Sequence, residues 1–217
     1  MRTKVVLIGV GGATCSGKTT LAKHLRNIIP DSVIIHQDPQ ELVPYHPIHK
    51  VQDWDAPAGA ISWDRLVKFL RQVKATGEIP PDHRSHDHLN EQKDIPLDAE
   101  SRDYWTKEFQ RLKEEYGERT KQEGGEEVKI VWGLVDGFLL YWHQGTLWRD
   151  PPGYWEDIVY PAYIEAHEAV FEGGDVENGA PTGKVLGLIV LESLQMTMGE
   201  AVGRCCEVIK QLASEMV

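Results

Sequence analysis

The chain has 217 residues and a formal net charge of −11, and 41% of its residues are hydrophobic and 26% charged. This length suits a single α/β domain with a full core, while the acidic charge argues against a general binder of nucleic acids or anionic membranes. The three cysteines (Cys15, Cys205 and Cys206) form no disulfide framework, and no apolar run approaches the ~20 residues of a membrane span. We therefore expect a cytoplasmic protein. The expected oligomeric state is either a monomer or a homodimer.

The first predicted elements are a strand, a loop and a helix near the amino terminus. Residues 5–10 are almost all apolar and predict a strand, and the spacing of Leu21, Ala22, Leu25 and Ile28 predicts a helix. Between them the sequence has the spacing G-x-x-x-x-G-K-T, in the strand–loop–helix setting that a phosphate-binding loop requires. The loop and the start of the helix comprise Gly12, Ala13, Thr14, Cys15, Ser16, Gly17, Lys18, Thr19 and Thr20.

The chemistry of a bound polyphosphate explains why these residue types occur in that loop. Glycines let successive backbone N–H groups curl around the phosphates, and the following helix adds the positive end of its dipole. Lys18 can then reach the β- and γ-phosphates, and the Thr19 hydroxyl can ligate Mg²⁺. A glycine-rich turn without a ligand is the alternative. Since both flanks match the motif, we predict that the chain binds a nucleoside triphosphate.

Strands and helices alternate along the rest of the chain. Apolar runs predict strands over residues 32–37, 128–137 and 185–191. Helical periodicity predicts helices from an N-cap at Ser62 to Gly77, over residues 98–122 and 154–171, and at the end of the chain. In that last helix the predicted core stripe comprises Met198, Val202, Cys205, Ile209, Leu212 and Met216. We therefore predict an α/β fold, a parallel sheet flanked by helices in a three-layer sandwich, as one domain over residues 1–217.

Two aspartates follow predicted strands at the edge of the sheet where ligands of open α/β sheets bind. Asp38 comes after the second strand and is placed to accept a proton from a substrate hydroxyl, as phosphoryl transfer to an alcohol requires. Asp136 ends a strongly apolar strand, a pattern typical of the carboxylate that holds Mg²⁺ or one of its waters. The alternative for either residue is an ordinary strand-end or helix-capping aspartate.

Five stretches of sequence, spread in order over most of the chain, carry a resemblance to a known family. They are residues 9–22 with the phosphate loop, 34–38 (IIHQD), 51–57 (VQDWDAP), 135–140 (VDGFLL) and 150–155 (DPPGYW). In these stretches the chain resembles the nicotinamide riboside kinases, particularly the fungal members, within the wider group of uridine-kinase-like P-loop kinases. The phosphate loop alone is common to very many kinases, whereas Gln37-Asp38 and Trp54-Asp55 narrow the resemblance further.

The resemblance implies ATP-dependent phosphorylation of the 5′-hydroxyl of nicotinamide riboside, with ATP and Mg²⁺ as cofactors and a nucleoside as the small-molecule partner. It implies that Asp38 is the general base, and that Asp55 grips the ribose hydroxyls with Trp54 beside it. A carboxylate that binds both cis hydroxyls rejects 2′-deoxy sugars, because its own oxygen would be left unpaired. Asp136 stands where many members have glutamate, and either side chain can serve Mg²⁺.

The chain departs from the family pattern in two places. After Asp38 it continues with Pro39, whereas the family usually has a second aspartate and an aromatic residue that stacks on the nicotinamide. After Gln144 it continues with residues 145–149, where the family has a fourth strand and an arginine-rich lid over the phosphates. We expect that mobile segments are omitted at these points, so that the backbone is broken between residues 38 and 39 and between 144 and 145. A chain that truly lacks them is the alternative.

Other interpretations stay open beside the nicotinamide riboside kinase hypothesis. A kinase for uridine, cytidine or another small metabolite would use the same loop, and a non-catalytic nucleotide-binding protein would be consistent with the missing lid. A histidine-rich segment has the residue types of a metal site but neither cysteines nor a strand or helix to order them, so we interpret it as a solvated loop. Its residues are Asp82, His83, His86, Asp87 and His88.

Overall fold

The computed structural model describes residues 2–12, 16–37, 43–53, 57–80, 95–122, 128–137, 153–192 and 194–216. Within these ranges the centre of the fold is a three-stranded parallel sheet in the order β1-β3-β2. The strands are β1 (Arg2–Gly11), β2 (Ser32–His36) and β3 (Val128–Gly137), so the first three predicted strands are confirmed. Because the strands are parallel, their carboxyl ends meet at one edge of the sheet.

The middle strand, β3, is buried on both faces from Val131 to Gly137, as its apolar sequence predicts. Trp132 and Leu134 belong to the core on one face, and Val131 and Val135 belong to the core on the other. This division follows from the alternation of side chains along a strand. The sheet therefore needs a layer of helices on each side.

Three helices cover the face that contains Trp132 and Leu134. They are α1 (Lys18–Ile28), α4 (Ala99–Gln122) and α6 (Met198–Glu215). α6 begins with a capping box, in which the Glu200 N–H donates to Thr197 Oγ1 and the Thr197 N–H donates to Glu200 Oε2 over 2.7 Å. That cap sets where α6 starts, and its apolar face then packs beside α1 and α4.

The opposite face is covered by α3 (Trp63–Thr76), whose Val73 packs with Val5 and Ile35 of the sheet. As predicted, Ser62 is the N-cap of this helix and Gly77 ends it. The Gly77 N–H donates to the Val73 carbonyl over 2.8 Å, which satisfies one of the last carbonyls of the helix. The layers of helices, sheet and helix confirm the predicted three-layer α/β fold.

Further helical segments of the described ranges lie outside these layers. Before α3 comes α2 (Pro57–Ala60), a single turn that the sequence analysis did not predict. The predicted helix over residues 154–171 is confirmed as a π-helical turn (Trp155–Val159), α5 (Tyr160–His167) and a 3₁₀ turn (Glu168–Val170). Pro161 lies at the start of α5, directly after the π-helical turn, and supplies no N–H to that preceding turn.

The prediction of a strand over residues 185–191 is wrong. Gly187 has a φ of 71°, which an extended strand excludes, and the Leu188 N–H donates back to the Val185 carbonyl across a turn. Leu186 is 94% exposed. An apolar run becomes a strand only where a neighbouring strand supplies hydrogen-bond partners, and none of the strands in the described ranges pairs with this segment.

The core stripe predicted for α6 is partly wrong. Val202 and Ile209 are buried as predicted, but Cys206 rather than Cys205 is fully buried between them, and Leu212 is 40% exposed. Helical periodicity allows two overlapping stripes that share residues 202 and 209, and packing beside α1 and α4 selects the one through residues 206 and 213. Burial raises the pKa of the Cys206 thiol to about 12 and that of Cys205 to about 11.

Candidate active site

The carboxyl ends of the strands bring several predicted site residues to one edge of the sheet. In the parallel register, Val10 of β1 lies beside Asp136 of β3, which in turn lies beside His36 of β2. The phosphate loop follows β1 directly, and Lys18 begins α1. Ligands of open α/β sheets bind at this edge, so the arrangement agrees with a nucleotide site.

The phosphate loop contains two glycines at positions where other residues would be strained. Gly12 has a φ of 153°, and a Cβ atom there would lie 2.6 Å from Ser16 Oγ. Gly17 has a φ of 86° and immediately precedes α1, which has no side-chain cap and no acidic residue in its first turn. The first N–H groups of α1 therefore meet no capping side chain of their own helix that would compete with an anion. Ala13, Thr14 and Cys15 lie outside the described residues.

Thr19 connects the phosphate loop to the end of β3. It lies in the first turn of α1 between Lys18 and Thr20, and its Oγ1 donates a hydrogen bond to Oδ2 of Asp136 over 2.9 Å. The two residues that the sequence analysis proposed for Mg²⁺ are thus in direct contact. A hydroxyl and a carboxylate are the hard oxygen ligands that Mg²⁺ prefers, and this ion takes few ligands from the protein when phosphates supply the others.

The Asp136 carboxylate is buried, with 5% of the residue exposed. Its Oδ2 accepts from Thr19 and also lies 3.1 Å from Nδ1 of His36, whereas its Oδ1 is buried and has no hydrogen-bond partner in the described parts of the chain. A buried carboxylate oxygen without a donor is unfavourable unless a ligand satisfies it. The residues present therefore fit a magnesium ion held by Asp136 and Thr19.

The sequence analysis missed His36 as a site residue. The signal that could have found it is its place at the end of a predicted strand, two residues before Asp38. The neighbour of that strand end could not be identified from the sequence alone. Only the strand order β1-β3-β2 and the pairing of residue 36 with residue 136 put the imidazole against the Asp136 carboxylate.

Asp38 lies outside the described residues, but the chain is described up to the residue before it. The Gln37 N–H donates to the Asp136 carbonyl over 2.8 Å, so the backbone still follows β3 one residue beyond the end of β2. The described chain thus reaches the edge of the sheet that carries Asp136 at the residue that precedes Asp38 in sequence. Its role as general base stays a prediction.

Trp54 and Asp55 also lie outside the described residues. The segment before them, residues 43–53, is a closed loop in which Tyr45 and Gln52 form an antiparallel bridge. Its last residue, Asp53, donates its N–H to the Pro44 carbonyl over 2.8 Å. The proposed contacts of Trp54 and Asp55 with a nucleoside stay predictions.

Several further expectations fall outside the described ranges. These are the two predicted chain breaks, at 38/39 and 144/145, and the histidine-rich segment at residues 82–88. Among the residues that are described, no three histidine, cysteine, aspartate or glutamate side chains group as a metal site. In the same ranges no helix is long and apolar enough to cross a bilayer.

No family model matches the chain, but curated proteins do. It is 26% identical over 209 residues to the nicotinamide riboside kinase of Eremothecium gossypii, with 80% of each chain covered. It is 24% identical over 225 residues to the nicotinamide riboside kinase of Schizosaccharomyces pombe, with 86% of this chain and 87% of that protein covered. This chain is a relative of the nicotinamide riboside kinases. Nicotinamide riboside kinase 1 of Homo sapiens is 25% identical over 195 residues, with 75% and 76% covered.

The relationship to the nicotinamide riboside kinases confirms the resemblance seen in the sequence, and it agrees with the observed fold. A parallel sheet between helices, with a phosphate loop after the first strand, is the architecture expected of a P-loop kinase. The contact between Thr19 and Asp136 joins the helix that follows the phosphate loop to the end of β3.

Proposed function

We propose that the chain transfers the γ-phosphate of ATP to the 5′-hydroxyl of nicotinamide riboside, giving nicotinamide mononucleotide. The observation that carries the proposal is the Thr19–Asp136 hydrogen bond at the end of the phosphate loop, in a chain related to nicotinamide riboside kinases. It supports a built site for a nucleotide with its metal. The identity of the nucleoside, nicotinamide riboside, is taken from the names of the related proteins.

On the donor side, the backbone N–H groups of the loop and the start of α1 would bind the phosphates, and Lys18 would reach the β- and γ-phosphates. Thr19 and Asp136 would hold Mg²⁺, which when bound offsets negative charge on the β- and γ-phosphate oxygens. The burial of Asp136 strengthens this role, because a charge acts over a longer range where water is excluded. The chain's contribution is therefore mainly positioning and electrostatic.

On the acceptor side, Asp38 would take the proton from the 5′-hydroxyl as the oxygen attacks the γ-phosphorus, while the bond from that phosphorus to the β–γ bridging oxygen breaks and ADP leaves. Its support is its position directly after Gln37, which hydrogen-bonds to the Asp136 backbone at the same sheet edge. Asp55 would accept hydrogen bonds from the two ribose hydroxyls, with Trp54 against the substrate. These three roles rest on the resemblance of the surrounding sequence.

The test is a panel of nucleosides, with nicotinamide riboside and uridine among them, incubated with ATP and Mg²⁺ and analysed for the phosphorylated product. We expect nicotinamide riboside to be the preferred acceptor and Asp38→Ala to lose turnover by roughly a hundredfold or more while still binding nucleotide. A strong preference for uridine would assign the chain to another nucleoside kinase. Equal turnover by wild type and Asp38→Ala would remove Asp38 as the base.

A second candidate is a protein that binds ATP without transferring phosphate. The sequence favours it at one point, because Gln144 is followed at once by residues 145–149, where the family has its arginine-rich lid. Arginines that offset charge in the transition state can contribute about 10³-fold or more to the rate. Nucleotide binding with no product from any nucleoside of the panel would favour this candidate.

We infer a cytoplasmic location from the cysteines, because they form no disulfide framework. Cys205 and Cys206 are free thiols in the structure, which fits a reducing compartment. Measurement of both thiols in protein isolated under alkylating conditions tests this. A disulfide at either position would contradict it.

A further inference from the structure

His36 lies beside the proposed magnesium site, in contact with Asp136. It ends β2 and pairs in register with Asp136 of β3. Its Nδ1 lies 3.1 Å from Oδ2 of Asp136, and its side chain is 21% exposed against 5% for the aspartate. The imidazole is therefore in contact with the buried carboxylate and is itself partly exposed to solvent.

The contacts of Asp136 divide unequally between its two oxygens. Oδ2 accepts from the Thr19 hydroxyl and is also the atom that His36 approaches, whereas Oδ1 is buried without a partner among the residues described. A rotation of the carboxylate would break both contacts of Oδ2. Two donors on Oδ2 thus hold the carboxylate in one orientation and thereby fix the direction of Oδ1. Oδ1 is the atom that remains for a metal ion or its water.

We infer that His36 is a positioning residue that holds the Asp136 carboxylate so that Oδ1 is presented to nucleotide-bound Mg²⁺. The inference rests on the proposed function, because it assumes a nucleotide with its metal at this edge of the sheet. In this inference His36 acts through its contact with Asp136. Its Nδ1 must carry the proton that it donates, and the facing carboxylate favours that tautomer.

Thr19 alone would hold the carboxylate less well once nucleotide binds. Its hydroxyl oxygen is then also a metal ligand, so one side chain would both orient Asp136 and coordinate the ion. His36 comes from a different strand and is independent of the phosphate loop. Outer-shell partners of this kind typically change metal affinity by about 10- to 100-fold when they are removed.

Two isosteric substitutions separate the hydrogen bond from the presence of a histidine. His36→Asn places an amide nitrogen close to the position of Nδ1 and keeps a donor to Asp136. His36→Gln places its amide nitrogen near the position of Nε2 and does not reach Oδ2 from the same backbone. His36→Ala removes the side chain altogether. A merely structural role would not separate the asparagine from the glutamine variant.

The experiment measures equilibrium binding of a fluorescent, non-hydrolysable ATP analogue, first in EDTA and then during a titration with Mg²⁺. We expect wild type and His36→Asn to share one Mg²⁺ midpoint, and His36→Ala and His36→Gln to need roughly tenfold more Mg²⁺. Affinity in EDTA should stay within about twofold for all four proteins, because the phosphate loop is unchanged. Thermal unfolding without nucleotide checks that each variant is folded.

Two results would overturn the inference while leaving the proposed function intact. One is an unchanged Mg²⁺ midpoint in His36→Gln, and the other is an increase in His36→Asn as large as that in His36→Gln. This comparison does not depend on His36→Ala, in case the alanine variant fails to fold. Failure of the nucleotide and magnesium site itself looks different, because wild type would then bind no analogue, or bind it without any response to Mg²⁺. Failure of phosphoryl transfer to nicotinamide riboside would appear only in the nucleoside panel and would leave this comparison of variants unchanged.

Discussion

The Thr19 hydroxyl donates to Oδ2 of Asp136 over 2.9 Å, although 117 residues separate the two in the sequence. The contact exists because α1 starts at the end of the phosphate loop and packs on the sheet beside the last residues of β3. It brings a hydroxyl and a carboxylate to one point at the carboxyl edge of the sheet, beside the phosphate loop. Substitution of Asp136, the acceptor of this hydrogen bond, is therefore the most direct test of the proposed metal site.

Replacement of Asp136 by asparagine or glutamate should separate charge from shape. Asp136→Asn keeps the size of the side chain but removes the negative charge, so we expect turnover to fall roughly a hundredfold or more. Asp136→Glu keeps the carboxylate on a stem one methylene longer and should stay within about tenfold of wild type. Steady-state rates over a range of Mg²⁺ concentrations measure both effects. Similar losses in the two variants would contradict a metal-binding role for this carboxylate.

Gly12→Ala should abolish tight nucleotide binding without unfolding the protein. The added Cβ would lie 2.6 Å from Ser16 Oγ at a φ of 153°, so the loop must deform where backbone N–H groups should meet phosphate. Calorimetric titration with ATP measures the loss. The matched control is Gly117→Ala in α4, where a Cβ meets nothing within 4 Å.

We expect Gly117→Ala to leave nucleotide affinity unchanged and to raise the free energy of unfolding by about 0.5–1 kcal/mol, because alanine is the better helix former. Unfolding in urea measures that gain. Weakened nucleotide binding in the control would mean that glycine substitutions act on the whole fold rather than on the loop.

The two adjacent cysteines of α6 should respond differently to serine. Cys206 is fully buried, and burying a hydroxyl there without a hydrogen-bond partner should lower the free energy of unfolding by about 1–3 kcal/mol. Cys205 is only half-buried, so Cys205→Ser should cost clearly less. Denaturant unfolding of both variants provides the measurement. A larger loss at Cys205 would mean that the core stripe predicted from the sequence was correct after all.

Glu108 should make the stability of the α4–α6 contact depend on pH. It accepts hydrogen bonds from Lys210 and Arg111, and these, the first of them most strongly, hold its pKa below the ordinary value. A carboxyl with a lowered pKa stabilises the fold above its unfolded pKa, about 4.3, and loses that contribution as the pH falls through its lower folded value. Wild type should therefore exceed Glu108→Gln in stability at pH 7, with the difference shrinking toward pH 3.

Unfolding in urea at a series of pH values gives that difference directly. Glu118→Gln, an exposed glutamate on the same helix, is the control for the loss of one negative charge. A difference between wild type and Glu108→Gln that stays constant from pH 7 to pH 3 would contradict a role for the ionised carboxyl.

Local patterns in the sequence were enough to predict most of the elements. The phosphate loop with its flanks, the apolar run of β3 and the period of α3 between Ser62 and Gly77 depend on neighbours within a few residues. The strand predicted at residues 185–191 failed because a strand also needs an edge to pair with. Asp38, Trp54 and Asp55 stay predictions, since they lie outside the described residues.

The sequence by itself determined the type of fold and predicted the chemistry of the phosphate loop, because both follow from residue spacing along the chain. Tertiary structure alone decided which distant side chains meet. The order of the strands placed His36 against Asp136. The rotation of α6 about its axis, as it packs beside α1 and α4, placed Cys206 rather than Cys205 in the core. Such contacts depend on strand order and on the rotation of a helix about its axis. The local sequence pattern fixes neither, because several arrangements of the same elements are compatible with it.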